Sequence, residues 1–305
     1  MLRFRVPLCF LFMTLPVPNA LATEHVNDHE LFCQQSDVAT CLQQLQQELA
    51  RQPEHSAKWY QLQSYLLDYL FDKHQFSKVE QSVAQLLLLP DSPPVFQTQL
   101  YFYQAKLMNG QGNTVEARRY ANLAQQNLQN MFDAFADPLR LLELANLQAV
   151  LGENAQAWNL LLSAESKFYK SKDPVFAFEL NTNKALVMQG QNRLAQAAYY
   201  RKLALDAILP SGFAGKISVA YLNLGRTEQL LGHFGLAQRY YEQALPYLHD
   251  GDDGIRLNNA LIRLSEICLQ LQHVEQARIY FKQIDAKTIE PKYQDSYQLL
   301  LEQFH

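Results

Sequence analysis

The sequence predicts an all-α protein, an α-solenoid of about six helical hairpins. Three observations carry this. The 305 residues include only 11 Gly and 12 Pro, while Leu, Gln and Ala, which favour helix, recur throughout. The stretch 217–248, ISVAYLNLGRTEQLLGHFGLAQRYYEQALPYL, reads as two amphipathic helices with a break at Gly232–Gly235. Last, small residues open the second helix of each hairpin at Val79, Ala117, Ala157, Ala195, Ala237 and Ala277, spaced by 38, 40, 38, 42 and 40 residues. A period of this size marks a helical repeat array, in which each unit covers the apolar face of the next.

Residues 1–22 form the first element. Arg3 and Arg5 give a positive start, Val6–Leu15 an apolar run, and Ala20-Leu21-Ala22 a small-x-small cleavage site, the order of a secretory signal peptide. The apolar run is too short for a bilayer, and Pro7, Pro16 and Pro18 interrupt it. Cleavage after Ala22 is therefore expected, with no membrane insertion of the mature chain and a periplasmic destination.

Residues 23–56 follow as a polar helical segment ending near Pro53. His25 and His29 stand four apart, but two histidines are a weak metal signal, and a solvated helix end explains them better. Cys33 and Cys41 flank Ser36-Asp37, a turn signal. In an oxidising compartment they are expected to pair as a disulfide in preference to lying reduced.

Residues 57–288 carry the repeats. Helix breakers separate the units at 90–94, Asp137-Pro138, Asp173-Pro174, 210–215, 249–254 and Glu290-Pro291. Pro directly after Asp fits a helix start, because the cap precedes a residue with no amide to satisfy. The fourth unit is aligned on Gly190, Ala195 and Tyr199. Cys268 reads as core. Residues 289–305 read as a capping helix built on Tyr297, Leu300 and Leu301.

In the fifth unit Tyr221, Leu224 and Gly225, then Ala237, Tyr241 and Ala244, match aromatic-x2-Leu-Gly followed by Ala-x3-aromatic. The chain resembles the tetratricopeptide repeat (TPR) family over roughly 57–284. Glu228 stands where that family has Tyr, Pro246 comes early, and the units exceed the family's ~34 residues. The resemblance implies a right-handed superhelix whose concave face, lined by first helices, binds extended peptides.

No catalytic motif is present: no G-x-S-x-G, H-E-x-x-H or phosphate-binding Gly loop. The 250–254 DGDDG loop lacks the spaced ligands and closing Glu of a calcium loop. No cofactor, metal or catalytic residue is expected, and the repeats leave no room for the catalytic domain of a lytic transglycosylase. A net charge of -4 implies no attraction to nucleic acid. The candidate site is the inner face, at the residues just before and just after the Leu-Gly pair of each first helix. These are three apart and share a face: Asn223 with Arg226, Asn181 with Lys184, Glu143 with Asn146, Tyr103 with Lys106, and at the ends Tyr65 with Asp68 and Arg263 with Glu266. Asn can pair with a peptide backbone, and Lys or Arg with a carboxylate. The function expected is an exported, non-catalytic scaffold binding a peptide or protein partner. The alternative is a ligand-sensing regulator docking on a membrane partner.

Overall fold

The computed structural model describes residues 29, 32–33, 36–132, 138–248 and 254–304. The expected leader 1–22, His25 and the 249–253 part of the acidic linker lie outside the described residues. Among the described residues the chain forms fourteen α-helices: α1 Val38–Arg51, α2 Ala57–Asp72, α3 Phe76–Leu86, α4 Pro94–Gly110, α5 Thr114–Phe132, α6 Pro138–Val150, α7 Asn154–Lys167, α8 Pro174–Gly190, α9 Leu194–Ile208, α10 Ala214–Leu230, α11 Phe234–Ala244, α12 Gly254–Gln270, α13 Val274–Phe281 and α14 Gln294–Phe304. The pairs α2/α3 to α12/α13 are six hairpins, packed each on the next. The fold is an all-α, TPR-like helical solenoid.

Local chemistry sets the helix starts. Asp37, Ser56 and Asp173 each cap a helix with a side-chain oxygen, and Asp173 does so ahead of Pro174, at 2.8 Å from the Val175 amide. The hairpin turns share one device, a left-handed residue five positions before the buried small residue of the second helix. It is His74, Gly112, Gly152, Asn192, Gly232 and Gln272 in the six units, with φ between 57° and 83°. Glycine adopts this region freely and Asn more easily than most residues.

This turn column corrects the alignment of the fourth unit. Its left-handed residue is Asn192, and its buried small residue is Ala197, fully enclosed, whereas Ala195 is exposed. The spacings are therefore 38, 40, 40, 40 and 40. Gly190, taken in the sequence for the turn glycine, is the last residue of α8. There a Cβ would come within 2.9 Å of the Asn154 side chain. Tyr199, taken for the inward aromatic, is 61% exposed, and Arg201 occupies its place.

The core lies in the walls between helices. Around the fifth unit it gathers Ile217, Tyr221, Leu224, Ala237, Tyr241 and Ala244. Gly225 lets α11 approach α10: a Cβ there would stand 3.3 Å from the Tyr241 ring. Cys268 is fully buried in the same cluster.

The ends are closed differently. Cys33 and Cys41 form a disulfide with Cα atoms 4.9 Å apart. It packs with Leu45 against Leu62 and Tyr69, fixing α1 to the first hairpin. His29 is not at a solvated helix end: it is buried, with its ring 4.7 Å from Tyr65. At the other end Leu300 and Tyr293 cover Ile262, and Tyr297 stacks on Phe281. The two ends also touch. Arg256, in the first turn of α12, donates to the Asp72 carbonyl at the end of α2, at 3.4 Å. Both are first helices of their hairpins, so the array curves with its first helices on the inner side.

Candidate functional site on the inner face

With the register set by Ala197, the two inner-face positions of each unit form two columns. The leading residues are Tyr65, Tyr103, Glu143, Asn183, Asn223 and Arg263. The trailing residues, three later, are Asp68, Lys106, Asn146, Leu186, Arg226 and Glu266. In the first three units the trailing residue meets the leading residue of the next. The Tyr103 hydroxyl donates to Asp68. Lys106 Nζ lies 3.3 Å from Glu143 Oε1. Asn146 Nδ2 donates to Asn183 Oδ1 at 2.8 Å, and Asn183 donates in turn to the Leu142 carbonyl at 3.0 Å. These rungs knit the first helices together across unit boundaries.

Two residues expected on this face are elsewhere. A two-residue slip turns a helix position by about 200°, to the opposite side. Lys184 accordingly stands in the Leu224 column and is buried. Its Nζ is 2.6 Å from Glu165 Oε1 and 5.5 Å from the Tyr200 ring centroid, with Trp158 at 5.9 Å. Asn181 stands in the Tyr221 column and returns its amide to the Ala177 carbonyl at 2.8 Å.

The N-terminal half of the face is closed on itself. Asp68 keeps access to solvent in the groove, yet the protein around it desolvates the carboxyl and raises its pKa, against the lowering effect of the Tyr103 hydroxyl. Burial and then Asp68 push the Tyr103 phenol far above its ordinary value. Gln99 reinforces the pair, its Nε2 2.7 Å from Asp68 Oδ1. Lys106 is held over the Phe71 and Tyr103 rings and against Glu143, which also takes Arg140 at 2.8 Å.

The C-terminal half is open. The Asn223 side-chain amide and the exposed Arg226 have no hydrogen-bond or ionic partner among the described residues. The next leading residue is another cation, Arg263, held by Glu266 at 2.8 Å and lying over the Tyr293 ring. Beneath them Arg201, only 8% exposed, donates to the Asn223 carbonyl and to Gln189 Oε1 at 2.6 Å. Burial, with Arg226 nearby, pushes its pKa down to about 10. The sequence reading missed Arg201, because a charged residue in an amphipathic helix reads as surface. A strict 40-residue period would have placed it in the Tyr241 column.

Among the described residues no group of three or more His, Cys, Asp or Glu could hold a metal, and no helix is long and apolar enough to cross a membrane.

No family model matches the chain, and no curated protein matches it in sequence. Solved structures do match. NprR in complex with its cognate peptide NprX gives a TM-score of 0.56 at 17% identity, over 89% of this chain and 78% of that one. A Rap protein complexed with competence and sporulation factor gives 0.57 at 14%, over 87% and 74%. A tetratricopeptide repeat protein from Parabacteroides merdae gives 0.54 at 13%, over 90% and 97%. At these identities the likeness is one of fold, and the fold is TPR-like.

Proposed function

We propose that the protein is an exported, periplasmic, non-catalytic scaffold that binds a peptide or protein partner on its inner face. The observation that carries this is the open half of that face. Asn223 and Arg226 stand three apart on α10 with no hydrogen-bond or ionic partner for their side chains among the described residues, whereas Tyr103 bonds Asp68, Lys106 pairs with Glu143 and Asn146 bonds Asn183. Unsatisfied donors presented along a groove are what an extended backbone can use, since Asn matches a peptide group with both donor and acceptor. NprR and Rap, which share the fold, have structures with a bound peptide and a bound factor respectively. Export is supported by the order Arg3, Arg5, apolar run, Ala20-Leu21-Ala22, and by the Cys33–Cys41 bridge, which suits an oxidising compartment.

The test has two parts. Protein recovered from the native host should begin at Thr23. A photo-cross-linking residue at position 223 should capture a partner from envelope extract, and the same residue at exposed position 199 should not. Capture from 199 alone would move the binding surface to the second helices and end the inner-face reading.

A further inference from the structure

We propose that the edge of the array between its first and second units binds an organic cation, an alkylammonium group held by Asp91 in a cleft walled by His55 and Tyr60. The site is separate from the inner face and does not rest on that reading.

The linkers that lead into α2 and α4 enclose a cleft of about 470 Å³, lined by His55, Ala57, Tyr60, Pro90, Asp91 and Pro93. Its size lies within the range of small-ligand sites. Its backbone is unusual. Outside the hairpin-turn column, the described non-glycine residues with positive φ are His55 at 63° and Asp91 at 57°, and both line this cleft. Glycine would fit either position at the least cost. His55 lies in the turn closed by the Ser56 amide on the Pro53 carbonyl at 3.1 Å, and Asp91 directly follows Pro90. His and Asp enter the left-handed region more readily than bulky residues, so two polar side chains are presented there at modest strain. Residues kept in such conformations cluster where a ligand is held.

The fold does not consume these side chains. The Asp91 carboxylate is exposed and has no hydrogen-bond or ionic partner among the described residues. His55 Nδ1 lies 3.0 Å from the Tyr60 hydroxyl, which leaves its Nε2 free. The His55 ring is 5.7 Å from Trp59 and 6.0 Å from Tyr60, and Tyr60 is 5.0 Å from Phe96 of the second unit. The wall is therefore aromatic and fixed across the boundary between the units.

Charge selects the occupant. Asp91 is the one carboxylate in the lining, and neither Lys nor Arg lines the cleft beside it. An ammonium is drawn both by that carboxylate and by the negative face of a neighbouring aromatic ring. Ala57, Pro90 and Pro93 offer apolar contact to its methylene stem, as the stem of a lysine uses elsewhere. An anion would be repelled, and a neutral ligand would leave Asp91 without a partner. The ammonium can belong to a lysine side chain or to a free amine.

Trp59 reports on the site. The chain has two tryptophans, so in Trp158→Phe the emission comes from Trp59 alone. Three probes are titrated into the full chain at constant ionic strength: Nα-acetyl-lysine amide, Nα-acetyl-norleucine amide, which has no charge, and n-pentylamine, which has no peptide groups. Calorimetry on the native chain repeats the titrations without the substitution. The lysine derivative should bind saturably and at least about tenfold more tightly than the norleucine derivative. Tighter binding of the lysine derivative than of pentylamine would assign the site to a peptide side chain, and the reverse order to a free amine. Asp91→Asn should abolish the preference for charge. Asp91→Gly should do the same while the melting temperature holds or rises, because a left-handed residue without a partner is removed. Arg226→Gln should leave these titrations unchanged. Equal binding of the lysine and norleucine derivatives, no binding by either charged probe, or a preference that survives Asp91→Asn overturns the proposal.

Discussion

Lys184 decides between the two registers of the fourth unit. In the structure its stem is packed between α7 and α9, with only the Glu165 end of its ion pair substantially in water, at 48% exposed. Lys184→Ala removes three buried methylenes, which at ~0.8 kcal/mol each amounts to about 2.4 kcal/mol. Loss of the ammonium over Trp158 and Tyr200 adds roughly 0.5–1 kcal/mol. Removing the buried charge returns part of its desolvation cost, and Glu165 is released to solvent with little penalty. The net expectation is a loss of about 2–3 kcal/mol, which for a chain of this size lowers the melting temperature by roughly 5–10 °C. Lys184→Met keeps the stem and should stay within about 1 kcal/mol of the parent. Neither change should alter affinity for a ligand of the inner face. Thermal melts of both variants, beside ligand titration, provide the assay. An unmoved melting temperature in Lys184→Ala, together with weakened ligand binding in Lys184→Met, would place Lys184 on the solvent-facing inner surface and refute the 40-residue register.

Three further outcomes follow from the structure. At Asn192, in the left-handed turn of the same unit, Gly should be nearly neutral, whereas Val should cost about 1–2 kcal/mol of stability in denaturant titration. Reducing the Cys33–Cys41 bridge should cost about 2–3 kcal/mol by loop entropy and release α1, seen as faster amide exchange over 38–51. His74, near the contact between the array's ends, has its pKa lowered by burial and next by Arg256. A depressed base contributes its stability fully above its ordinary value of 6.5 and loses it as pH falls through the lowered one. The melting temperature of the native chain should therefore drop more on acidification than that of His74→Asn, which keeps the left-handed turn without a titrating ring. Parallel pH curves for the two would exclude that role.

The fold was legible because its signal is periodic. Ala117, Ala157, Ala237 and Ala277 are small for one reason, the approach of two helices, and their spacing survives wide divergence elsewhere. The fourth unit was misread because two local signals imitated the motif: Gly190 stood for a turn glycine and Tyr199 for the inward aromatic. Both are explained by other constraints, Gly190 by its closeness to Asn154, and Tyr199 by a position in water. The period itself carried the correction, since the midpoint between Ala157 and Ala237 is Ala197. Asn223 and Arg226 were legible as a pair because they lie on one helix of a well-marked unit.

The rungs were not legible, since each joins residues 35 or 37 positions apart, and a slip of two residues in the fourth unit hides the one between Asn146 and Asn183. Once the register holds, their chemistry orders the inner face. Where a unit must be fastened to its neighbour, the rung is complementary, and its side chains are consumed within the protein: Tyr103 by Asp68, Glu143 by Lys106 and Arg140, Asn183 by Asn146 and the Leu142 carbonyl. Where the rung is broken, in the fifth unit, the wall is held by apolar packing around Tyr241, of the kind found in the other walls, and by the bond from Arg201 to the Asn223 carbonyl. The polar side chains there are surplus to folding. A solenoid can leave Asn223 and Arg226 unpaired only where its core already suffices, so the places a ligand can use are those where the ladder is missing.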